Sequence, residues 1–332
     1  TPYPIKLIGD KSLSKRDFSR IIKPLSLFGV NIKSYNGLLP IKFLGSNFLR
    51  PINFFEDKGS AQVKTCIILS AINTPGITRI KALKSRDHTE LLLKYLNYPI
   101  TINKRENYDI IKLRGLNQFK SFNYHIPGDI SSASFFIVLT LLSKNSELLI
   151  KDVNLNPSRL GILKILKQMN AKIMIINKQN YKGEFIGNIK IKSTSKFKSI
   201  NCPAKLNSSA IDEFLLIFLV AAKSNGISSF SNLNELNKKE SPRLDIAINF
   251  LRMIGIKVTR NKDNIKIYGN PKLKLCKSFH VKNFLKDHRI FMMSVIAALT
   301  FGGSWKINDK DSINTSFPNF LKIIKKLGGK IN

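Results

Sequence analysis

The sequence of 332 residues lacks the features that mark cysteine-rich and membrane-spanning proteins. Its three cysteines, Cys66, Cys202 and Cys276, lie far apart without a Cys-x-x-Cys pair, which argues against a disulfide framework or a cysteine-rich zinc site. The longest apolar run, residues 214–222, is far shorter than the roughly 20 residues that cross a membrane. We therefore expect a soluble protein of a reducing compartment, with the cytoplasm as its location and no membrane partner.

Acidic residues are also scarce, since 21 Asp and Glu stand against 55 Lys and Arg and give a net charge of +34. Such a balance ordinarily indicates a nucleic-acid partner. The lysines, however, are scattered through every segment together with Asn and Ile and form no basic stripe. We interpret the charge as a compositional drift and expect no nucleic acid, with a basic nucleic-acid-binding protein kept as an alternative.

Four segments repeat one helical pattern at intervals of 71 to 81 residues. Each begins with a residue that commonly caps helices and continues as an almost wholly apolar helix; the starts are Ser60, Ser131, Asp212 and Asp287. An amphipathic helix follows 25 or 29 residues later, starting at Ser85, Asn156, Ser241 and Ser316. The pattern predicts a repeated α/β unit with one central and one outer helix, and it predicts caps at Ser131 and Ser316.

The beginning of the chain shows only half of this unit. Residues 14–32 match the amphipathic second helix of a further copy, so we expect the first half of that copy to be absent. A Pro-Gly turn within 125–128 interrupts the pattern. We therefore expect a partial N-terminal domain over 1–127 and a C-terminal domain over 128–332, with weak or absent catalysis and poor solubility for this chain alone.

Charged and polar residues gather at the predicted helix starts, where free backbone N–H groups and the helix dipole favour anions. The segments that carry them are 15–16, 59–64, 85–88, 239–243 and 287–289. Arginine is informative here because its planar fork binds phosphate or carboxylate in a bidentate way. We expect these helix starts to converge on a cleft that holds a ligand with several such groups, with Asp212, Glu213 and Glu240 as acid/base groups.

Eight motifs in order resemble the 5-enolpyruvylshikimate-3-phosphate (EPSP) synthase family, and three of them are most similar to its class II. The motifs are GDKSLSKR (9–16), GSAQVK (59–64), SRDHTE (85–90), PGDISSASFF (127–136), IDE (211–213), KESPR (239–243), DHR (287–289) and TSFP (315–318). The resemblance implies an α/β fold: a two-domain inside-out α/β barrel, the enolpyruvyl transferase fold, built from repeated βαβαββ-type units, here with the first unit missing.

The same resemblance implies a step of the shikimate pathway, which leads to chorismate and the aromatic amino acids. The enzyme, a 3-phosphoshikimate 1-carboxyvinyltransferase and a glyphosate target, would move the enolpyruvyl group of phosphoenolpyruvate to the 5-hydroxyl of shikimate 3-phosphate and release phosphate. It would need no metal and no organic cofactor, and we expect it to be a monomer.

Residue roles follow from the matched motifs. Asp212 would be the base that acts on the hydroxyl, and Glu240 would take part in proton transfer at the methylene group. Phosphoenolpyruvate would be bound by Arg16, Gln62, Arg243 and Arg289. Shikimate 3-phosphate would be bound by Ser60, Ala61, Gln62, Ser85, Arg86, Asp212 and Lys239, with His288 near the reacting phosphate.

The chain also departs from the family's pattern at some positions. Lys11 and Ser12 resemble the family's first Lys-Ser motif, but their place ahead of the first helix assigns them to a later motif, so they are given no such role. Pro242 stands where an acidic residue is usual, and Thr315 stands where other branches have a phosphate-binding lysine.

Two further interpretations stay open beside the shikimate enzyme. One is the enolpyruvyl transferase that acts on UDP-N-acetylglucosamine, which shares the fold, although KESPR, DHR and SRDHTE favour the shikimate enzyme. The other is an inactive, truncated relative.

Overall fold

The computed structural model describes residues 3–10, 13–46 and 48–331, apart from the side chain of Lys15. The contacts divide the chain into two compact units. Unit 1 comprises Thr1–His125 and Tyr181–Glu184, and unit 2 comprises Ile126–Asn180 and Phe185–Asn332. Lys11 and Ser12 lie outside the described residues.

Unit 1 is built from seven strands and three α-helices among its described residues. The strands are β1 (Ile5–Leu7), β2 (Ile32–Tyr35), β3 (Leu38–Phe43), β4 (Asn53–Glu56), β5 (Ile77–Leu83), β6 (Ile100–Lys104) and β7 (Tyr108–Arg114). The helices are α1 (Ser19–Leu27), α2 (Ala61–Ile72) and α3 (His88–Tyr95). One sheet has the order β1-β3-β2 and the other has the order β4-β5-β7-β6.

The second sheet of unit 1 places two helix starts side by side. Strands β4 and β5 run parallel, with Glu56 opposite Ala82, so their carboxyl ends meet at one edge of the sheet. The chain passes from β4 into α2 and from β5 into α3, so both helices begin at that edge. The apolar residues of α2, among them Ile67 and Ile68, pack into the core of the unit.

Unit 2 carries three further copies of the helix pair. Its α-helices are α4 (Ile130–Leu142), α5 (Gly161–Gln168), α6 (Asn207–Ala210), α7 (Phe214–Ala222), α8 (Arg243–Met253), α9 (His288–Phe301) and α10 (Phe320–Lys326). Its strands are β8 (Glu147–Asn154), β9 (Ile173–Tyr181), β10 (Glu184–Lys192), β11 (Phe197–Lys198), β12 (Ser224–Asn225), β13 (Ile227–Phe230), β14 (Val258–Asn261), β15 (Asn264–Tyr268), β16 (Leu275–Val281) and β17 (Gly302–Ile307). The turn between β9 and β10 is counted with unit 1.

Small sheets surround three buried helices in unit 2. The sheets have the orders β8-β10-β9, β13-β15-β14, β16-β17 and β11-β12. Helices α4, α7 and α9 contact one another, and every residue of α7 is buried. Helices α5, α8 and α10 are the amphipathic partners, with charged residues on their exposed faces. The predicted alternation of central and outer helices is thus confirmed.

Several helix starts differ from the prediction. Ser131 is not the cap of α4: the carboxylate of Asp129 caps this helix by accepting a hydrogen bond of 3.1 Å from the backbone N–H of Ser132. Ser316 is not a cap either, because a turn intervenes and Asn319 occupies the cap position of α10. Helix α7 begins after Glu213, since the shorter helix α6 and a turn come first. Among the described residues, no helix is long and apolar enough to span a membrane.

Candidate active site

Four helices of unit 2 bring their first turns together. Helix α7 contacts α4, α8 and α9, and α8 contacts α9. Side-chain contacts between the residues at or just before these helix starts join all four of them. Because each start presents backbone N–H groups and the positive end of a dipole, the region favours anions.

Asp212, just before α7, lies between several cationic side chains. Its Oδ1 is 3.3 Å from Nζ of Lys239 and 3.7 Å from a terminal nitrogen of Arg243. Its backbone carbonyl accepts a hydrogen bond of 2.9 Å from Arg289. The structure therefore gathers four residues that sequence motifs far apart in the chain had singled out.

Arg243 is the most enclosed of these cations, with only 2% of its side chain exposed. Its Nε donates a hydrogen bond of 2.8 Å to Oδ2 of Asp287, and its terminal NH2 group donates to Glu240. The hydroxyl of Ser241 donates to the same Oδ2 of Asp287 at 2.8 Å. The guanidinium is therefore held rigidly among carboxylates at the starts of α8 and α9.

Glu213 forms a second, deeper cluster beside Asp212. Its carboxylate accepts a hydrogen bond from Ser131 of α4 and lies 4.0 Å from a terminal nitrogen of Arg289. Arg159 donates to the hydroxyl of Ser131 at 2.7 Å and pairs with Asp129. Burial raises the pKa of Glu213 against the opposing charge of Arg289.

Asp287 and His288, at the start of α9, both have lowered pKa values. Burial works against ionisation of Asp287, but the charge of Arg243 and the hydrogen bonds from Arg243 and Ser241 outweigh it and hold the pKa below its ordinary value. Burial lowers the pKa of the neighbouring His288, so its neutral form is favoured. His288 directly follows Asp287 and is the first residue of α9, so it lies next to the cluster.

In unit 1, the starts of α2 and α3 form a second candidate site. A methyl group at Gly59 would lie 3.4 Å from the carbonyl oxygen of Lys84, so the two loops touch just before the helices begin. Ser60 caps α2 by accepting a hydrogen bond of 3.3 Å from Val63. The hydroxyl of Ser85 is buried without a hydrogen-bond partner among the described residues, which suits a ligand-binding group.

The other predicted residues of unit 1 lie near these starts or on another element. Ala61 and Gln62 occupy the first turn of α2, where Gln62 is exposed, and Arg86 follows Ser85 in the loop before α3. Arg16 comes directly after a short 3₁₀ turn near β1, with its backbone N–H bonded to the carbonyl of Leu13 at 3.0 Å. Within the described part of the chain, no group of three or more His, Cys, Asp and Glu residues is arranged to hold a metal ion.

Comparison with known proteins shows the family of this chain. The profile of the family described as EPSP synthase (3-phosphoshikimate 1-carboxyvinyltransferase) matches residues 1–324. The 3-phosphoshikimate 1-carboxyvinyltransferase of Ruthia magnifica is 39% identical over 99% of this chain and 74% of its own length. The chain belongs to the EPSP synthase family.

Solved structures agree with this membership. An EPSP synthase from Acinetobacter baumannii is similar with a TM-score of 0.86 and 33% identity, over 98% of this chain and 74% of that one. The enolpyruvyl transferase NikO from Streptomyces tendae shares the fold at 13% identity, with a TM-score of 0.74 over 99% of this chain and 74% of that one. The predicted enolpyruvyl transferase fold is thereby confirmed.

Some members of the unit 2 cluster carried no predicted role. Ser131 was expected only to cap a helix, and Arg159 was not singled out, yet both belong to the network around Glu213. Arg159 did have one signal, since it is an arginine near a helix start in a chain that favours lysine. The contact between residues 131 and 213 has no local signal, because it depends on how two distant helices pack.

Proposed function

We propose that this chain carries out the reaction of its family, the transfer of the enolpyruvyl group from phosphoenolpyruvate to the 5-hydroxyl of shikimate 3-phosphate with release of phosphate. The observation that supports it most is the convergence of helix starts around Asp212, Arg243 and Arg289. Both substrates are polyanions, and this region combines rigid cations with helix dipoles. We also propose that the enzyme acts as a monomer in the cytoplasm.

Asp212 is assigned the role of base. Its carboxylate accepts the proton of the 5-hydroxyl as the hydroxyl oxygen forms its bond to C2 of phosphoenolpyruvate. Lys239 and Arg243 lie 3.3 Å and 3.7 Å from Oδ1, so they fix the direction in which the carboxylate faces. A base held in this way needs little reorganisation when the proton moves.

Glu240 is assigned the proton transfer at C3. It gives a proton to the methylene carbon when the tetrahedral intermediate forms, and its carboxylate takes a methyl proton back when the C–O bond to phosphate breaks and the double bond returns. Glu240 bonds to Arg243 at the start of α8 and is about one-third exposed, so its carboxyl group is accessible to a substrate.

The arginines are assigned to phosphoenolpyruvate. Arg243 and Arg289 together with Arg16 and Gln62 would bind its carboxylate and phosphate. The guanidinium of Arg243 already binds one carboxylate, that of Glu240, and phosphoenolpyruvate carries a group of the same kind. Loss of phosphate is then assisted by cations already in place.

The starts of α2 and α3 are assigned to shikimate 3-phosphate. Ser60, Ala61, Ser85 and Arg86 provide hydroxyl, backbone N–H and guanidinium donors there, as a phosphate monoester requires. The buried hydroxyl of Ser85, which has no hydrogen-bond partner in the described part of the chain, supports this assignment, because a phosphate oxygen would satisfy it. Lys239 and Asp212 complete the set, and His288 is assigned to the neighbourhood of the departing phosphate.

The test is a measurement of phosphate release by the protein with each substrate alone, with both, and with UDP-N-acetylglucosamine as the acceptor. We expect release only with phosphoenolpyruvate and shikimate 3-phosphate together, at the low rate that the sequence predicts for this chain alone. Asp212→Asn should lower kcat by about 10²–10⁴-fold, the usual contribution of a positioned base. Asp311→Asn, an exposed change of the same kind, should leave kcat unaltered.

Three results would contradict the proposal. They are absence of release with both substrates, release that depends on UDP-N-acetylglucosamine, and full turnover by the Asp212→Asn variant.

A further inference from the structure

A pair of opposite charges lies in the interior of unit 1. Nζ of Lys64 is 2.6 Å from Oε1 of Glu90, and only 0% and 2% of these side chains are exposed. Val63, Ile67 and Leu93, which lie near the pair in sequence, belong to the apolar core of the unit. Removing two charges from water costs free energy that their mutual attraction only partly offsets.

The two residues belong to the first turns of the two helices that begin the candidate site. Lys64 is four residues after Ser60, and its backbone N–H bonds to the carbonyl of Ser60 at 3.0 Å. Glu90 lies in the first turn of α3, five residues after Ser85. The ion pair therefore joins the first turn of α2 to the first turn of α3, close in sequence to the residues assigned to shikimate 3-phosphate.

A second contact runs beside the first. The hydroxyls of Thr65 and Thr89, each adjacent in sequence to one member of the ion pair, are 2.8 Å apart. Two neighbouring polar links fix both the separation and the rotation of the helices, which apolar contacts do not do because they are non-directional.

Stability alone gives a poor reason for such a pair. A buried ion pair can often be replaced by apolar residues of similar volume without loss of stability, whereas a defined register of two elements is a better-attested use. Burial raises the pKa of Glu90 in spite of the opposing charge of Lys64, as expected for a buried carboxylate. Burying the pair therefore costs desolvation free energy, but its directional contact fixes how the two helices lie against each other.

We propose that Lys64 and Glu90, supported by Thr65 and Thr89, are positioning residues for the phosphate group of shikimate 3-phosphate. They hold the starts of α2 and α3 at the distance and rotation at which Ser60 and Ser85 address one phosphate. This inference rests on the proposed function, because the ligand is the one assigned there.

The test replaces both charges at once, since Lys64→Met alone would leave a buried carboxylate unpaired. In Lys64→Met/Glu90→Leu, both polar groups are removed and the volume is kept. We expect a folded protein with a Tm close to that of the parent and shikimate 3-phosphate binding weakened about tenfold, since a small misplacement of binding groups is costly. The Kd of phosphoenolpyruvate should rise by a smaller factor, because only Gln62 among its proposed ligands lies on α2 or α3, while Arg243 and Arg289 lie in unit 2.

The control is an ion pair of similar length on the surface. Lys190 and Glu147 of unit 2 are 2.8 Å apart, with 40% and 47% of their side chains exposed. Lys190→Met/Glu147→Gln should leave the Kd values of both substrates unaltered. Loss of binding that is equal for both substrates in the core variant would indicate a general structural effect and overturn the positioning role.

A milder variant decides the matter if the core variant does not fold. Thr65→Val/Thr89→Val removes both hydroxyls of the second link, so neither is left unsatisfied. We expect weaker binding of shikimate 3-phosphate again, by about threefold, because one of the two links that position the helix starts is lost. If the core variant folds and its Kd for shikimate 3-phosphate is unchanged, the inference is overturned. If the core variant does not fold, an unchanged Kd for shikimate 3-phosphate in the threonine variant overturns it. Failure of the parent to bind shikimate 3-phosphate would instead overturn the proposed function.

Discussion

Arg243 is buried to all but 2% of its side chain and touches carboxylates on three sides. Asp287, Glu240 and Asp212 each contact a different part of the guanidinium. A planar fork with several N–H donors can hydrogen-bond to Asp287 and Glu240 in fixed directions and still pair with Asp212, whereas the ammonium group of lysine is a point charge on a flexible stem. The identity of this residue therefore matters more than its charge.

Arg243→Lys consequently should be far from conservative. We expect the free energy of unfolding to fall by about 1–3 kcal/mol, since acceptors of a buried network lose their donors. We also expect the KM for phosphoenolpyruvate to rise by a larger factor than the KM for shikimate 3-phosphate. Chemical denaturation and steady-state kinetics measure both. The control is Arg260→Lys, at a half-exposed pair with Asp245, where little should change. If Arg243→Lys and Arg260→Lys change the free energy of unfolding and the KM values equally, the planar shape of the Arg243 guanidinium is not important.

Glu213 should make stability depend on pH in an unusual direction. Burial raises its pKa, so the folded state holds the proton more tightly than the unfolded state, whose glutamate titrates near 4.3. The contribution of this group is complete below about pH 4.3 and declines as the pH rises towards the raised pKa.

Glu213→Gln removes that decline. The free energy of unfolding of the variant minus that of the parent should increase as the pH rises from about 4.3. Denaturation curves at several pH values would measure it. Two curves that stay parallel across this range would show that burial of Glu213 does not raise its pKa.

At the scale of the elements, tight packing places Asp212. A methyl group at Gly161, the first residue of α5, would lie 2.4 Å from Oγ and 2.7 Å from the backbone carbonyl carbon of Ser209 in α6. Helix α6 ends at Ala210, directly before the segment with the proposed base. Close approach of α5 and α6 thus fixes the segment that leads into the site.

Gly161→Ala should therefore be destabilising, although alanine favours helices over glycine by about 1 kcal/mol. The backbone of α6 would have to move, so we expect a lower Tm and a lower kcat. Lys164→Ala on the exposed face of α5 should change stability by less than about 0.5 kcal/mol. A Gly161→Ala variant more stable than the parent would show that the two helices can separate without cost.

The elements also show how far the sequence could predict the structure. Apolar and amphipathic periodicity predicted the helix pairs, since it reflects burial of one helix on all sides and of the other on one face. It did not predict that Asp129 instead of Ser131 caps α4, because both residue types cap helices well. The burial of Lys64 against Glu90 had no signal either, since long charged side chains are rarely fully buried and the contact joins two separate helices.

At the scale of the whole molecule, the net charge of +34 is far larger than the binding of two small anions requires. Scattered lysines still produce a long-range field that attracts polyanionic substrates, and salt screens it with a Debye length of about 10 Å at 0.1 M. The charge is therefore relevant to substrate capture even though it forms no local stripe.

Substrate affinity should accordingly depend on salt. We expect the KM for shikimate 3-phosphate to rise as NaCl is increased from about 0.05 to 0.5 M, because screening weakens attraction of the phosphate. The control ligand is shikimate, which lacks the phosphate. Its binding should be weaker and should depend less on the NaCl concentration. A KM that is independent of ionic strength would mean that the surface lysines contribute nothing to capture.

A crystal structure of the protein soaked with shikimate 3-phosphate and phosphoenolpyruvate tests the central claim most directly. We predict density for the 3-phosphate at Ser60 and Ser85, at the starts of α2 and α3, and density for phosphoenolpyruvate or its product phosphate against Arg243 and Arg289. Substrates bound away from these helix starts, with Asp212 out of reach of the 5-hydroxyl, would contradict it.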